Sequence, residues 1–307
     1  MSRIRLALKV DVDTERGTRE GVPALADLFS RAGVPATFYF ALGPDNTGRA
    51  LKRVFRPGFV GKTVRTNVVA IYGLRTLLNG ILLPGPMIAR RHSGILQAVR
   101  KAGFEVGIHC WDHIRWQDGL HKMSAAETSL EFGRALSAFE EVFGTRAATA
   151  AAAGWQANAN SLAAYDAAGL LYGSDTRGRS PFYPRAQGHT FRTLQIPTTL
   201  PTLDELLGRP EYPEARLTES YLSWLAPETL NVLTLHAEIE GMYRREWFSA
   251  FLGACRSEGV AFTALADEAR GLLAHPDQVP VADLVLGTIP GRSGLLALQA
   301  QTRLEGA

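Results

Sequence analysis

The sequence predicts an α/β fold built on a mainly parallel sheet, open or closed into a barrel. Two observations carry this. Short apolar runs alternate with helix-like stretches along the chain. Titratable residues stand just after several of the apolar runs, and in α/β folds the chemistry collects at the carboxyl ends of the strands. In order, strands are expected over 4–10, 36–41, 105–109, 193–197 and 232–236. Helices are expected over 23–32, 93–102, 125–143, 160–168 and 243–258. Gly33, Gly103, Gly144, Gly169 and Gly259 each follow one of these helices, as a left-handed cap residue would.

At 307 residues the chain can bury one domain of about 250 residues plus an extension. With 46% hydrophobic and 21% charged residues it has the composition of an ordinary globular protein. Cys110 and Cys255 are too few and too far apart for a disulfide framework, so a reducing compartment is expected. The N-terminal MSRIRLALKVDVD lacks the apolar stretch of a signal peptide, and no run of 18 or more apolar residues exists to span a membrane.

One segment breaks the rhythm. Residues 46–104 contain no Asp or Glu but carry Arg49, Lys52, Arg53, Arg56, Lys62, Arg65, Arg75, Arg90, Arg91, Arg100 and Lys101. Within it, residues 68–88 are almost wholly apolar. Basic flanks on an apolar stretch have the composition of an interfacial membrane anchor, or of a helical insertion with a solvated basic face. No stacking aromatics accompany the charge, which argues against nucleic acid as a partner.

The chemistry begins where the first strand ends. Asp11 and Asp13 are two apart, so on a strand they point the same way, and two adjacent carboxylates call for a cation. GIHCWDHIRW supplies the other half. His109 and His113 are four apart, and a helical turn after the strand would put both imidazoles on one face. Two His and one carboxylate with an open position is the usual design of a hydrolytic metal site. His236, in NVLTLHAEIEG, follows another buried strand and is a natural general acid.

An Asp-x-Asp after the first strand, a His-x-x-x-His after a middle one and a Leu-x-Leu-His near the end resemble the polysaccharide deacetylase (NodB-like, carbohydrate esterase 4) family. The resemblance implies a distorted (β/α) barrel over residues 2–266, with the basic segment as an insertion and 267–307 as a C-terminal extension. It implies one divalent metal ion, zinc before cobalt or manganese, held by Asp13, His109 and His113. Asp11 would be the catalytic base and His236 the acid, with Asp175 orienting His236. The third-motif Arg of the family is missing from ATAAAAGWQA, and Arg177 is expected to replace it. Trp155 and Arg19 are expected to line the substrate pocket.

The stretches DVDTERGTREGVP, GPDNTGR, HCWDH, AAAGWQA, SDTRG, QIPTTLPTLDE and LHAEIEG are similar to one group of that family. This narrower likeness implies removal of the formyl group from 4-deoxy-4-formamido-L-arabinose linked to undecaprenyl phosphate, in lipid A modification and resistance to cationic antimicrobial peptides. The partners it implies are that lipid-linked sugar and an anionic membrane surface, at the cytoplasmic face of the bacterial inner membrane. The competing readings are a deacetylase of peptidoglycan or a chitin-like polymer, a non-haem iron oxygenase and a non-catalytic membrane-binding module.

Overall fold

The computed structural model describes residues 4–50 and 71–300. Residues 51–70, which hold the first part of the basic segment and the start of its apolar stretch, lie outside the described residues. At the centre is β1 (Arg5–Val12). One of its edges pairs in parallel with β9 (Leu230–His236), in register from Arg5↔Leu230 to Asp11↔His236. The other edge is shared. β10 (Ala261–Thr263) takes Arg5–Ala7, and β2 (Thr37–Ala41) takes Lys9–Val12. From β2 the sheet continues through β3 (Glu105–Cys110), β4 (Thr149–Ala150), β5 (Tyr172–Gly173) and β8 (Leu194–Gln195), all parallel.

Beyond β8 the chain reaches β9 again. The amides of Thr199 and Leu200 both donate to the carbonyl of Val232, at 3.1 and 3.2 Å. The parallel sheet therefore curls round into a distorted barrel, as expected from the sequence.

Strand alternation sorts the residues. Leu6, Leu8, Val10 and Val12 of β1, Phe38 and Phe40 of β2, and Leu233 and Leu235 of β9 form the outer layer. They pack under the helices Val22–Ala32, Ile88–Lys101, Ala125–Phe143 and Arg245–Ser257. Phe29 meets Phe38, Phe104 and Phe248 edge-on there. Ala7, Tyr39, Ala151, Tyr172, Leu194 and Val232 line the inside. Gly107 of β3 faces Tyr39, and a Cβ on it would lie 2.6 Å from that ring. All five cap glycines have positive φ, from 54° at Gly33 to 90° at Gly103.

A second, mixed sheet of four strands runs β12 (Leu296–Gln299), β11 (Val281–Gly287), β6 (Tyr183–Ala186), β7 (His189–Thr190). It stitches the C-terminal extension onto the loops above the barrel: Arg177 N donates to Ala297 O, and Gln299 N donates to Arg177 O.

Candidate metal centre

β1 presents Ala7, Lys9, Asp11 and, just past its end, Asp13 on the inner parity. β3 presents His109 there, and β9 presents His236. Asp13 Oδ1 lies 3.1 Å from His109 Nε2 and 3.4 Å from His113 Nε2. The three ligand atoms all fall within 4.8 Å of one another. Metal–nitrogen and metal–oxygen bonds of about 2.1 Å, at tetrahedral or octahedral angles, would set neighbouring donors about 3.0–3.4 Å apart. His109 Nδ1 is 2.6 Å from the carbonyl of Ala151, which can only accept, so Nδ1 carries the proton and Nε2 offers its lone pair. Asp13 Oδ1 and His109 Nε2 are buried with no hydrogen-bond partner. Orphaned buried acceptors converging on one point are what a cation satisfies. The residues present fit a divalent ion.

The two histidines do not share a helix face. His109 is the penultimate residue of β3, Asp112 caps the next helix through Arg115 N at 3.0 Å, and His113 is that helix's first residue. The chain bends between them, which brings the rings to 5.2 Å. Burial raises the Asp13 carboxyl, but the neighbouring imidazoles, His113 first, outweigh it and hold Asp13 well below the usual carboxylate range.

Asp11 and His236 are register partners on β1 and β9. With the three ligands, Tyr72, Trp155 and Arg292, they line one cavity of about 420 Å³.

The polysaccharide deacetylase profile matches residues 5–173. The probable 4-deoxy-4-formamido-L-arabinose-phosphoundecaprenol deformylase of Shewanella sediminis is 35% identical over 297 residues, 96% of this chain and 95% of its own. The protein of that name from Wigglesworthia glossinidia brevipalpis is 32% identical, over 92% and 98% of the two chains. The chain belongs to the polysaccharide deacetylase family. Solved structures agree in fold. One from Mycobacterium smegmatis, described as a polysaccharide deacetylase, superposes with a TM-score of 0.62 at 17% identity, covering 99% of this chain and 96% of its own. Puue allantoinase gives 0.62 at 20%, over 90% and 92%.

The remaining polar residues around the cavity have their own arrangement. The cation beside Asp11 is Lys9, whose Nζ stands 3.6 Å from Asp11 Oδ1 and donates to Ser174 O at 2.8 Å. Lys9 is fully buried between the rings of Tyr39 and Trp155. Burial lowers its pKa, against the opposing charges of Asp11 and Asp175.

Arg177 is engaged elsewhere. It donates to Glu205 Oε1 at 2.6 Å and to Leu200 O at 2.9 Å. Asp175 is fully buried and accepts from Ala152 N, Tyr165 Oη and Gln195 Nε2, at 2.6, 3.1 and 2.8 Å. Burial pushes it up to about 6. Asp204 faces the His236 ring, with Oδ1 3.9 Å from Nδ1.

Trp155 is buried with φ +53°, its Nε1 on Thr198 Oγ1 at 3.1 Å, and Arg292 lies 4.2 Å above its ring. Arg19 lies outside this cavity and pairs with Glu15 and Glu20.

Glu238 and Glu240 brace the site. Glu238 Oε1 accepts from Asp13 N, Thr14 N and Thr14 Oγ1, at 3.2, 3.0 and 2.7 Å, so it ties the loop carrying Asp13 to the end of β9. Glu240 Oε2 accepts from His236 N at 2.8 Å. Burial pushes both carboxyls up to about 8, with the Asp13 charge adding to the effect on Glu238.

Proposed function

We propose that this protein is a metal-dependent amide hydrolase that removes the formyl group from 4-deoxy-4-formamido-L-arabinose carried on undecaprenyl phosphate. The observation that carries the reading is one cavity holding an Asp13–His109–His113 cluster, a carboxylate and a third histidine. It belongs to a chain matched over nearly its whole length by relatives named for that reaction.

Asp13, His109 and His113 hold the ion, and zinc suits this donor set. When bound, the ion supplies Lewis acidity for the formyl oxygen and for water. Asp11, whose buried Oδ1 makes no hydrogen bond, takes the proton from the attacking water. Lys9 Nζ, 3.6 Å from Asp11 Oδ1, holds that carboxylate in place beside the cavity. His236 gives a proton to the sugar nitrogen as its bond to the formyl carbon breaks, so formate and a free amine leave together.

Arg19 lines a second cavity of about 430 Å³ with Arg16, Arg75 and Arg91, and Tyr72 lines both cavities. This neighbouring cavity takes the phosphodiester, since guanidinium donors match phosphate. Ile81 and Leu82 are exposed close by in the chain and dock on anionic lipid, which brings the site to a substrate anchored in the bilayer.

The test is to offer the purified protein formamido-arabinose on a polyprenyl phosphate and to detect formate and amine by mass spectrometry. Chelation should abolish turnover and zinc should restore it. Arg19→Ala should raise KM several-fold with little change in kcat. No amine from the metal-loaded protein would refute the reading.

A further inference from the structure

We propose that Asp204, locked in place by Arg292 of the C-terminal extension, is the carboxylate that positions His236. The proposal rests on the hydrolase reading above. His236 Nδ1 is buried and has no hydrogen-bond partner. The carboxylate oxygen that faces it is Asp204 Oδ1, at 3.9 Å. That is too long for a hydrogen bond, but a small turn of the imidazole or one bridging water closes it. Catalytic hydrogen bonds commonly tighten only when substrate is bound. A buried nitrogen left unpaired is costly, which favours making the bond. With Nδ1–H donated to Asp204, Nε2 is the atom that hands its proton to the leaving nitrogen. That proton is balanced by the one Asp11 takes from water, so the cycle needs no other reactant.

Asp204 is held on several sides. Thr202 Oγ1 donates to its Oδ1 at 2.5 Å, and Arg292 Nη2 stands 3.4 Å from the same oxygen. Arg292 Nε also donates to Glu205 Oε1 at 2.7 Å, the oxygen that takes Arg177 Nη1 at 2.6 Å. Both guanidinium groups lie over Trp155, whose ring meets His236 edge-on at 6.4 Å and 72°. Trp155, the two arginines and Glu205 form a rigid frame around the Asp204–His236 pair.

The loop that delivers Arg292 is shaped for this contact. Gly291 has φ +85°, and a Cβ there would fall 2.3 Å from Glu205 O. The opposing groups around His236 are thus Asp204 and Glu240, the latter bonded to its backbone amide. Asp175 already accepts from three donors on another wall.

The experiment uses two substrates that differ in leaving group. An amide nitrogen must be protonated to leave, whereas p-nitrophenolate leaves unaided. Asp204→Asn should lower kcat for the lipid-linked formamide about 100-fold, in the range of general-acid contributions, with KM within about twofold. The same variant should lose far less on p-nitrophenyl formate. Asp11→Asn should lose heavily on both, because both need activated water. Asp204→Glu should recover part of the amide rate. Arg292→Ala should show the same selective loss, partly reversed by millimolar guanidinium. Metal content, read by mass spectrometry, should match wild type throughout.

Equal losses on both substrates, or an unimpaired amide rate in Asp204→Asn, would overturn the proposal. If wild type hydrolyses other N-acyl amines but not this formamide, the substrate reading falls, and the selective loss is read on the amide it does cleave.

Discussion

At the scale of single residues, the site is a set of buried charges that make sense only in combination. Glu240 shows how strongly the surroundings act. Its carboxyl, ordinarily near 4.5, is pushed up to about 8 by burial in the folded chain. A carboxyl raised by folding binds more protons in the folded state than in the unfolded state between those two values. Its contribution to stability is therefore full below about pH 4.5 and drains away as the pH climbs through about 8. Glu240→Gln keeps an oxygen for the His236 amide but cannot ionise. Metal-free wild type should lose stability between pH 5 and pH 8, and the Gln variant should lose less. Urea midpoints at the two pH values check this, and parallel losses would refute it.

The convergence of Asp11, Asp13, His109, His113 and His236 on one cavity was legible in the sequence because titratable residues just after apolar runs have few structural uses. Lys9 was legible in principle: a lysine inside LALKVDVD shares the parity of Asp11 and Asp13. Asp204 and Arg292 were not, because they meet through a tertiary path that no local spacing encodes.

At the scale of elements, two π-helical turns set the position of the strand ends that carry Asp13 and His236. Gly17–Gly21 follows the Asp13 loop, and Ile239–Tyr243 follows His236. They touch backbone to backbone. A Cβ on Gly21 would sit 2.1 Å from Ala237 O, and one on Gly241 would sit 2.7 Å from Gly21 O. Gly21→Ala must push the two turns apart. It should destabilise the fold by about 1–3 kcal/mol, the usual range for overpacking. It should also lower kcat, because His236 and Asp13 stand at the ends of the displaced segments. Thermal melts with parallel kinetics test it, and a variant with wild-type stability and rate would contradict the close approach.

The long helices were legible because each pairs an apolar stripe with a glycine stop. Ala125–Phe143 matches its expected bounds, helped by the Ser124–Glu127 capping box. β4 and β5 were not, since two residues cannot display a period. β11 was missed because its partner β6 lies some hundred residues away.

At the scale of the whole molecule, the proposed function requires this barrel to reach a substrate fixed in a bilayer. Among the described residues no helix is long and apolar enough to cross a membrane. The segment after residue 70 instead offers a surface. Leu74 and Leu82 are 70% and 75% exposed, and Ile81, Leu83 and Leu78 are partly so. Ile71, Tyr72 and Leu77 from the same segment line the cavity that holds Asp13, His109 and His113. The apolar lip is therefore continuous with the entrance to the metal centre, and Arg75, Arg90 and Arg91 flank it with positive charge. Such a lip gains apolar burial in the headgroup region, and each nearby arginine adds about 1 kcal/mol on an anionic surface. The charge part of that attraction is screened by salt. The protein should sediment with phosphatidylglycerol vesicles at low salt and be released at high salt. Ile81→Glu combined with Leu82→Glu should weaken sedimentation at least tenfold. The same pair should lower kcat/KM for the lipid-linked formamide while sparing a water-soluble formamido sugar. Unchanged sedimentation of the double variant would mean that this lip is not what meets the bilayer.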